Sequence, residues 1–361
     1  IVLAVLVKTA MLPFHGWLVS SYARATPAGS VVLSVFTTKV GVLTAARLVS
    51  WSPAGIPVLT YVGAIVAVVA VVFAFQQVSA RRLLAFHIVS QVGFMLVGAG
   101  LAGGDAGSIG ATAGLFHAAN HIVYKALLFL VVALVANRTG HEDFRRLGGL
   151  WRRMPVVFVC AIVGSGAIAG APFLSGYGSK ELLKLAAGYT VPTYLLMIAS
   201  VGTGLSFIKF SYLIFVRRPD ASPAGAEQAR EESARSDPWQ LGTAIVLALL
   251  SIVLGLFPGV ASGVEHRYFS VQSLAMGVAP LFVSVGLWAV FRRRLVAGVV
   301  GSGSRAAGSR GASVRGAQMR RWLKRVVPPG LGHLDALHRM NPQVYVSLAV
   351  VVAIALIVLL G

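Results

Sequence analysis

The sequence is poor in acidic residues and contains a single cysteine. Asp and Glu number 11 against 31 Lys and Arg, so the formal net charge is +20 over 361 residues. The one cysteine, Cys160, excludes a disulfide framework and a cysteine-based metal site. The acids are also unevenly placed, because none lies in the apolar stretches within residues 1–102 or in the stretch at 108–136. Cations in those stretches therefore have no carboxylate partner in their own helices.

The composition excludes a soluble globular domain. Hydrophobic residues make up 57% of the chain, charged residues 12%, and the mean hydropathy is +0.81. We therefore predict an all-α polytopic membrane protein, in which the position of the basic charge matters more than its sum and nucleic acid is not a partner. Runs of spanning length predict about ten transmembrane helices. They lie at 1–20, 28–50, 55–78, 83–102, 108–136, 155–187, 192–216, 239–258, 274–291 and 342–360.

The sixth run, 155–187, is too long for one simple helix. It contains Gly170, Pro172 and Gly176. We predict two half-helices that meet within the membrane, a geometry tolerated only where the exposed backbone faces a cavity or the protein interior.

The loops between these spans give an orientation that is independent of the residues inside the helices. Odd-numbered loops carry 23 Lys and Arg, whereas even-numbered loops and the adjoining helix ends carry 4. By the positive-inside rule the odd-numbered loops are predicted to be cytoplasmic in a multi-pass protein of the cell inner (cytoplasmic) membrane.

The same runs predict a division into segments. We expect a transmembrane domain at 1–216, a cytoplasmic loop at 217–238, two further transmembrane helices at 239–291, a basic cytoplasmic segment, partly disordered, at 292–341, and a last span at 342–360. The chain opens inside an apolar run and without Met, which predicts an N-terminally incomplete sequence.

The fifth run carries ionisable side chains in its centre. His117, His121 and Lys125 are four residues apart, so they share one helical face, and Tyr124 adjoins them. One interpretation is a set of packed polar residues that hold helices together. The other is a proton path, because histidine titrates near neutral pH and a lysine deprived of water can release its proton.

Two more lysines, Lys8 and Lys39, lie within predicted spans and make a chance origin of Lys125 improbable. Lysines at such depths oppose insertion by roughly 2.5–3.5 kcal/mol each unless they are paired or hydrated. Either they are neutral when dry, or their partner belongs to a missing N-terminal part or another polypeptide of a complex. Lys209 lies nearer the end of its span, where an anchoring, snorkelling role is favoured.

Two accessory residues have open interpretations. Glu181, beside Lys180, is the only acid at membrane depth, and it predicts either an interfacial Lys–Glu pair at a helix end or a gating role at the exit of a path. His87 shares a polar face with Ser90 and Gln91, for which a hydrogen-bonded packing interface is favoured over the lining of a hydrated path.

Six ordered stretches resemble a known family. They are similar to the antiporter-like membrane subunits shared by respiratory complex I (NADH:quinone oxidoreductase), Mrp-type Na+/H+ antiporters and membrane-bound hydrogenases. The stretches are 8–18, 38–41, 90–94, 117–129, 147–150 and 170–180. Within the family, the sequence around Lys39 and Lys180 is most similar to D-type Mrp subunits, whereas the long basic segment is similar to larger subunits with a lateral extension.

The resemblance implies a fold and residue roles. In that family two inverted five-helix repeats form half-channels, and this chain matches the second repeat plus later helices. Lys8 matches the lysine of the first half-channel, whose glutamate partner would lie upstream. The remaining matches are the central connecting lysines Lys39 and Lys125, the relay histidines His117 and His121, and the terminal lysine Lys180 beside the second broken helix.

Together these observations predict a proton-conducting subunit of a multisubunit membrane complex, with exchange for Na+ or K+ left open. The sequence shows no catalytic nucleophile, phosphate loop or metal-ligand cluster, so no cofactor is expected, and any NADH:quinone oxidoreductase or hydrogenase chemistry would belong to partner subunits. The alternative is a non-conducting scaffold that anchors those subunits in the lipid bilayer. Loss of assembly in variants of His117 or Lys125 would favour the scaffold, and loss of flux alone would favour the path.

Overall fold

The computed structural model describes residues 2–52, 55–103, 107–218 and 238–300. Helices account for most of this part of the chain. In order they are α1 (Val2–Lys8), α2 (Gly16–Arg24), α3 (Pro27–Val49), α4 (Pro57–Phe75), α5 (Ala80–Gly100), α6 (Gly107–Thr139), α7 (Pro155–Ala169), α8 (Ser175–Ala187), α9 (Val191–Ser211, continued by a π-turn at Tyr212–Val216), α10 (Pro238–Leu256), α11 (Pro258–Ser262) and α12 (Val271–Val300).

Seven of these helices are long and apolar enough to cross a membrane. They are α3, α4, α5, α6, α9, α10 and α12. Each coincides with a predicted span to within a few residues, apart from α12, which continues to Val300 instead of ending at 291. The all-α, multi-pass prediction is thus confirmed. The predicted span at 342–360, residues 219–237 of the predicted loop, and the basic segment beyond residue 300 lie outside the described residues.

The first predicted span is wrong as a single helix. Its described part forms two helices, α1 and α2, separated by Thr9–His15. Ala10 has a φ of 54° and Pro13 has no backbone donor, so a regular helix cannot continue through this stretch. The Trp17 indole N–H instead donates to the carbonyl of Val7 at 3.0 Å, which satisfies one carbonyl at the end of α1.

The sixth predicted span is broken, as the sequence indicates. α7 is capped by Gly170, whose φ of 86° is in the left-handed region that favours glycine. The N–H of Ala171 turns back to the carbonyl of Gly166 at 2.8 Å, and α8 starts five residues after Gly170, at Ser175. The prediction of two half-helices is therefore confirmed.

Helix α5 lies at the centre of the described bundle. Almost all its side chains are buried, and it packs against α4, α6 and α3. The contact with α4 is close because Gly63 and Gly93 face each other: a Cβ on Gly93 would lie 2.5 Å from the carbonyl oxygen of Gly63. Small residues of this kind let two backbones approach in a membrane bundle. This packing brings the polar side chains of α5 against those of α6 and α8.

Val2–Phe291 form one compact unit. The described residues after Phe291, which are the last turns of α12 up to Val300, are assigned to a second unit.

Candidate functional site

Three lysines from three different helices are buried in the bundle. Lys39 on α3 is 8% exposed, Lys125 on α6 is 0% exposed, and Lys180 on α8 is 7% exposed. Each donates to backbone carbonyls: Lys125 Nζ to Leu84 at 2.9 Å and Lys39 Nζ to Ser34. Among the described residues, no carboxylate forms a salt bridge with any of the three.

Lys180 lies at the break between the half-helices. Its Nζ donates to the carbonyls of Ile168 at 2.9 Å and Ala169 at 3.2 Å, which end α7. The last carbonyls of a helix have no partner within it and carry partial negative charge, so a cation is stabilised there. The same Nζ lies 5.1 Å from the centre of the Phe94 ring. The broken helix thus supplies the partners that an unbroken helix would not expose.

His117 joins α6 to two neighbouring helices. Its Nδ1 is 2.9 Å from Ser179 Oγ on α8, and its Nε2 is 3.1 Å from Gln91 Oε1 on α5. The ring is fully buried and stacks on Phe94, with ring centres 5.5 Å apart. Tyr124, one of the predicted accessory residues, donates its hydroxyl to the same Gln91 oxygen at 3.4 Å. Ser179 therefore links His117 to the half-helix that carries Lys180.

His121 and His87 are fully buried, and neither ring has a hydrogen-bond partner among the described residues. The His121 ring meets Tyr124 edge-on at 5.3 Å, and the His87 ring lies 4.8 Å from Phe207. Asn120 likewise has both side-chain polar atoms without a partner in this part of the chain. Buried polar atoms in this state are costly in a dry core, so a site that collects them is suited to water.

The ionisable groups are close enough to interact electrostatically. Lys39 interacts with His117, His121 and Lys125, and Lys180 interacts with His117. His87 interacts with Lys125 and Lys180. The structure therefore brings five of the six predicted path residues, and the accessory His87, into one buried group across α3, α5, α6 and α8.

Lys8 is the exception. Our expectation that all three lysines of the first half of the chain are buried is wrong for Lys8, whose side chain is exposed at the last residue of α1. The side chain lies beside α3: a Cβ on Gly41 would be 3.2 Å from Lys8 Cγ. α1 packs on α3, and the described bundle does not cover the outer face of α1.

Glu181 forms a Lys–Glu pair within α8. Its carboxylate accepts from the ammonium of Lys184, one turn further along the same face of α8, whereas Lys180 points to the end of α7. The pair lines a cavity between α8, α9 and α12. The other residues that line it include Lys180, Tyr177, Ser200 and Gly277.

The interpretation of Lys209 as a snorkelling anchor is also wrong. Its side chain is 2% exposed, and its Nζ donates to the carbonyls of Phe75 and Gln77 at the end of α4, the latter at 2.9 Å. Nζ also lies 5.0 Å from the centre of the Phe75 ring. The carbonyls at the end of α4 thus hold this lysine inside the bundle.

The described residues contain no group of three or more His, Cys, Asp or Glu side chains that could hold a metal ion. The site instead contains the titratable nitrogens of lysine and histidine side chains, together with backbone carbonyls and hydroxyl or amide groups. These can hold and transfer protons.

Residues 1–206 match the family described as NADH:quinone oxidoreductase/Mrp antiporter, TM. This match covers more than half of the chain, including every residue of the buried group. The chain belongs to this family.

Two curated relatives within the family are similar over most of the chain. A probable K(+)/H(+) antiporter subunit of Rhizobium meliloti (strain 1021) is 30% identical over 274 residues, which are 73% of this chain and 26% of the relative. NADH-ubiquinone oxidoreductase chain 5 of Dictyostelium citrinum is 30% identical over 284 residues, which are 74% of this chain and 41% of the relative. The chain thus spans between a quarter and two fifths of these relatives.

A solved structure in the family has the same fold. A chain of the Mrp complex from Dietzia sp. DQ12-45-1b matches with a TM-score of 0.64 at 26% identity, over 77% of this chain and 59% of that chain. The resemblance read from the six sequence stretches is confirmed. The preference for a D-type Mrp protein stays a prediction.

Sequence reasoning missed a polar cluster that holds two loops of this family member together. Arg217, directly after the π-turn, donates one nitrogen to the carbonyls of Phe144, Arg145 and Leu147 at 2.8–3.2 Å. Arg81 forms a salt bridge with Glu142 next to this point. Burial raises the pKa of the Glu142 carboxyl, and the attraction of the Arg81 guanidinium opposes that rise. An arginine that follows an apolar run is typical of a solvent-exposed loop, so no feature of the sequence distinguished the buried Arg217 from the other loop arginines.

Proposed function

We propose that this chain is the proton-conducting part of an antiporter-like membrane subunit. The proposed path consists of Lys39, His117, His121, Lys125 and Lys180. One observation carries the proposal: three buried lysines on three helices have backbone carbonyls, and no described carboxylate, as partners. A lysine in such a site can release its proton without leaving a counter-charge buried alone. A lysine locked in a buried salt bridge could not.

Transfer along the path uses neighbouring groups in turn. Lys39 and Lys125 interact electrostatically, so a charge on one disfavours a charge on the other. His121, with both nitrogens open, can accept a proton from either lysine and pass it on. His117 and Ser179 connect this group to Lys180, whose charge the end of α7 stabilises. A proton arriving at one end thereby favours release at the other.

The wider setting belongs to the same proposal. The path works in a complex with other membrane subunits, at the cell inner membrane, with the basic odd-numbered loops on the cytoplasmic side. Protons are the transported ion, and Na+ or K+ is the candidate for exchange. The names of the two curated relatives and the Mrp complex support this setting. Lys8 joins the path only when a group outside the described residues covers it.

The decisive experiment replaces Lys125 in the assembled complex. Lys125→Ala should abolish proton flux into vesicles, measured with a pH-sensitive dye, while the complex still purifies intact. Lys125→Met, which keeps most of the side-chain volume, should do the same. Ala119→Leu changes an exposed apolar position of the same helix and should leave flux at the wild-type level.

Two outcomes would contradict the proposal. Normal flux in Lys125→Ala and Lys125→Met would remove Lys125 from the path. Loss of the assembled complex in both variants, with Ala119→Leu intact, would favour a scaffold that holds partner subunits through its buried polar contacts.

A further inference from the structure

His87 lies one helical turn from the point where Lys125 is held. Lys125 Nζ donates to the carbonyl of Leu84, three residues before His87 on α5. Both groups also contact one aromatic ring: the His87 ring centre is 4.8 Å from that of Phe207, and Lys125 Nζ is 5.8 Å from it. Since neither nitrogen of His87 has a partner among the described residues, the ring is free to accept a hydrogen bond on one side and donate on the other.

A series of ring contacts leads from Phe207 to a second buried lysine. The Phe207 and Phe210 ring centres are 5.7 Å apart, and those of Phe210 and Phe144 are 6.1 Å apart. Lys209 Nζ lies 5.5 Å from the Phe144 ring centre. His87 and Lys209 also interact electrostatically. Lys209 is therefore connected to the Lys125 site, although it comes from a different helix and lies nearer one end of the bundle.

Lys209, on α9, contacts the end of α4 and the start of the α4–α5 loop. Its Nζ holds the carbonyls of Phe75 and Gln77, and Gln76 between them is exposed. This end of the bundle also carries the exposed Arg82 and the loop held by Arg217. One turn before Lys209, the hydroxyl of Ser206 is fully buried and has no partner in the described part of the chain. Polar atoms thus continue from the Lys125 site to within one residue of the surface.

We propose that His87 and Lys209 form a branch of the proton path through which protons must pass between Lys125 and the end of the bundle that carries the α4–α5 loop. The branch rests on the proposed function, since it needs a path through Lys125. Unpaired groups at His87 and Ser206 give water the partners it needs to bridge the gaps between the titratable side chains.

The transfer balances proton by proton. The ammonium of Lys125 gives a proton to one ring nitrogen of His87, which leaves a neutral amine and forms an imidazolium. The other ring nitrogen then releases its proton toward the neutral amine of Lys209, which becomes an ammonium held by the α4 carbonyls. The titratable groups that interact with His87 are His121 and Lys125 on α6, Lys180 on α8 and Lys209 on α9.

A purely structural role for these residues makes a different prediction. If Lys209 acts only as a permanent cation that caps α4, a variant with arginine at this position should keep wild-type flux, because arginine also donates to carbonyls. Arginine does not release its proton in proteins, so it cannot act as a relay. Likewise, glutamine at position 87 keeps a polar side chain of similar reach but cannot titrate.

The experiment measures proton flux of the assembled complex in vesicles for Lys209→Arg and His87→Gln. Each should lower flux by roughly tenfold or more, as expected for loss of a positioned proton-transfer group, while the complex assembles normally. The double variant should be no slower than the slower single variant, because the two groups act in series. The matched controls Ser90→Ala and Thr203→Ala remove buried hydroxyls on α5 and α9 that bond only to carbonyls, and both should keep wild-type flux.

Wild-type flux in Lys209→Arg would overturn the branch and leave Lys209 as a cap of α4. Wild-type flux in His87→Gln would overturn it as well, and this variant decides alone if Lys209→Arg fails to assemble. Lys125→Met separates the two proposals: if it conducts normally the main path fails, and if it alone abolishes flux while the branch variants conduct, only the branch fails.

Discussion

At the scale of single residues, the site is defined by the partners of its buried cations. Lys180 holds the carbonyls that end α7, and Lys209 holds those that end α4. Lys125 holds one carbonyl within α5. A carbonyl provides a directed acceptor without a full negative charge. The bundle can thus bury Lys125 and Lys180 without a salt bridge to any described carboxylate, which would lock them as ion pairs.

The bond between His117 and Ser179 gives a test at this scale. Ser179→Ala removes the partner of Nδ1 and leaves a buried ring nitrogen unsatisfied, which costs about 1–3 kcal/mol. We expect proton flux in vesicles to fall by about tenfold or more, because the ring loses its fixed orientation toward α8 and with it a positioned proton transfer.

The matched control is Ser175→Ala on the same helix. Ser175 Oγ is equally buried and is 2.9 Å from Ser251 Oγ, but it has no hydrogen bond to a histidine among the described residues. Equal losses of flux in the two variants would show that α8 packing, and not the orientation of His117, is what Ser179 provides.

At the scale of elements, irregular segments place the chemistry. The break between α7 and α8 exposes the carbonyls that Lys180 binds. The π-turn at Tyr212–Val216 ends α9, and directly after it Arg217 reaches back to the loop that follows α6. π-turns insert an extra residue into a helical turn and so redirect the side chain that follows. Arg217 then fixes the loop between α6 and α7 against the end of α9.

Arg217→Met should release this loop. A hydrogen bond to a charged group contributes about 1.5–3 kcal/mol, so loss of the guanidinium should raise the population of the open loop by at least tenfold. Trypsin should then cleave the purified complex after Arg146, Arg152 or Arg153 about tenfold faster, if opening is rapid relative to cleavage.

Arg218→Met serves as the control, because the neighbouring Arg218 is exposed. Cleavage of this loop at the wild-type rate in Arg217→Met would mean that the remaining contacts, such as the salt bridge between Arg81 and Glu142, hold the loop without Arg217.

At the scale of the whole molecule, charge is divided between the two ends of the bundle. The loop after α6 carries several arginines, including the exposed Arg146 and Arg152, whereas the turn between α8 and α9 exposes the uncharged Tyr189. Positive loops stay on the cytoplasmic side during insertion, so these two loops should face opposite compartments.

Site-directed labelling tests this orientation with little background, since the single native cysteine, Cys160, is 3% exposed. In sealed vesicles whose cytoplasmic face is outward, a membrane-impermeant maleimide should label Arg152→Cys rapidly. It should label Tyr189→Cys only after the vesicles are opened with detergent. Rapid labelling of Tyr189→Cys in sealed vesicles would reverse the orientation or add a missed span.

The sequence by itself determined the elements and the chemical character of the site. Runs of apolar residues predicted the long helices, and Gly170 and Pro172 predicted the break between 155 and 187. Both signals depend only on residues that are neighbours in the sequence, so they need no knowledge of how the helices pack. The spacing of His117, His121 and Lys125 likewise predicted one ionisable face, because the helical repeat fixes it.

Only the tertiary structure decided which groups meet. That Lys125 binds Leu84, that Lys209 is buried and that Lys8 is exposed all depend on which helix lies opposite each side chain. Such contacts join residues up to 134 positions apart. A local pattern does not contain them, because the partner of a buried polar group is set by helix packing and not by its sequence neighbours.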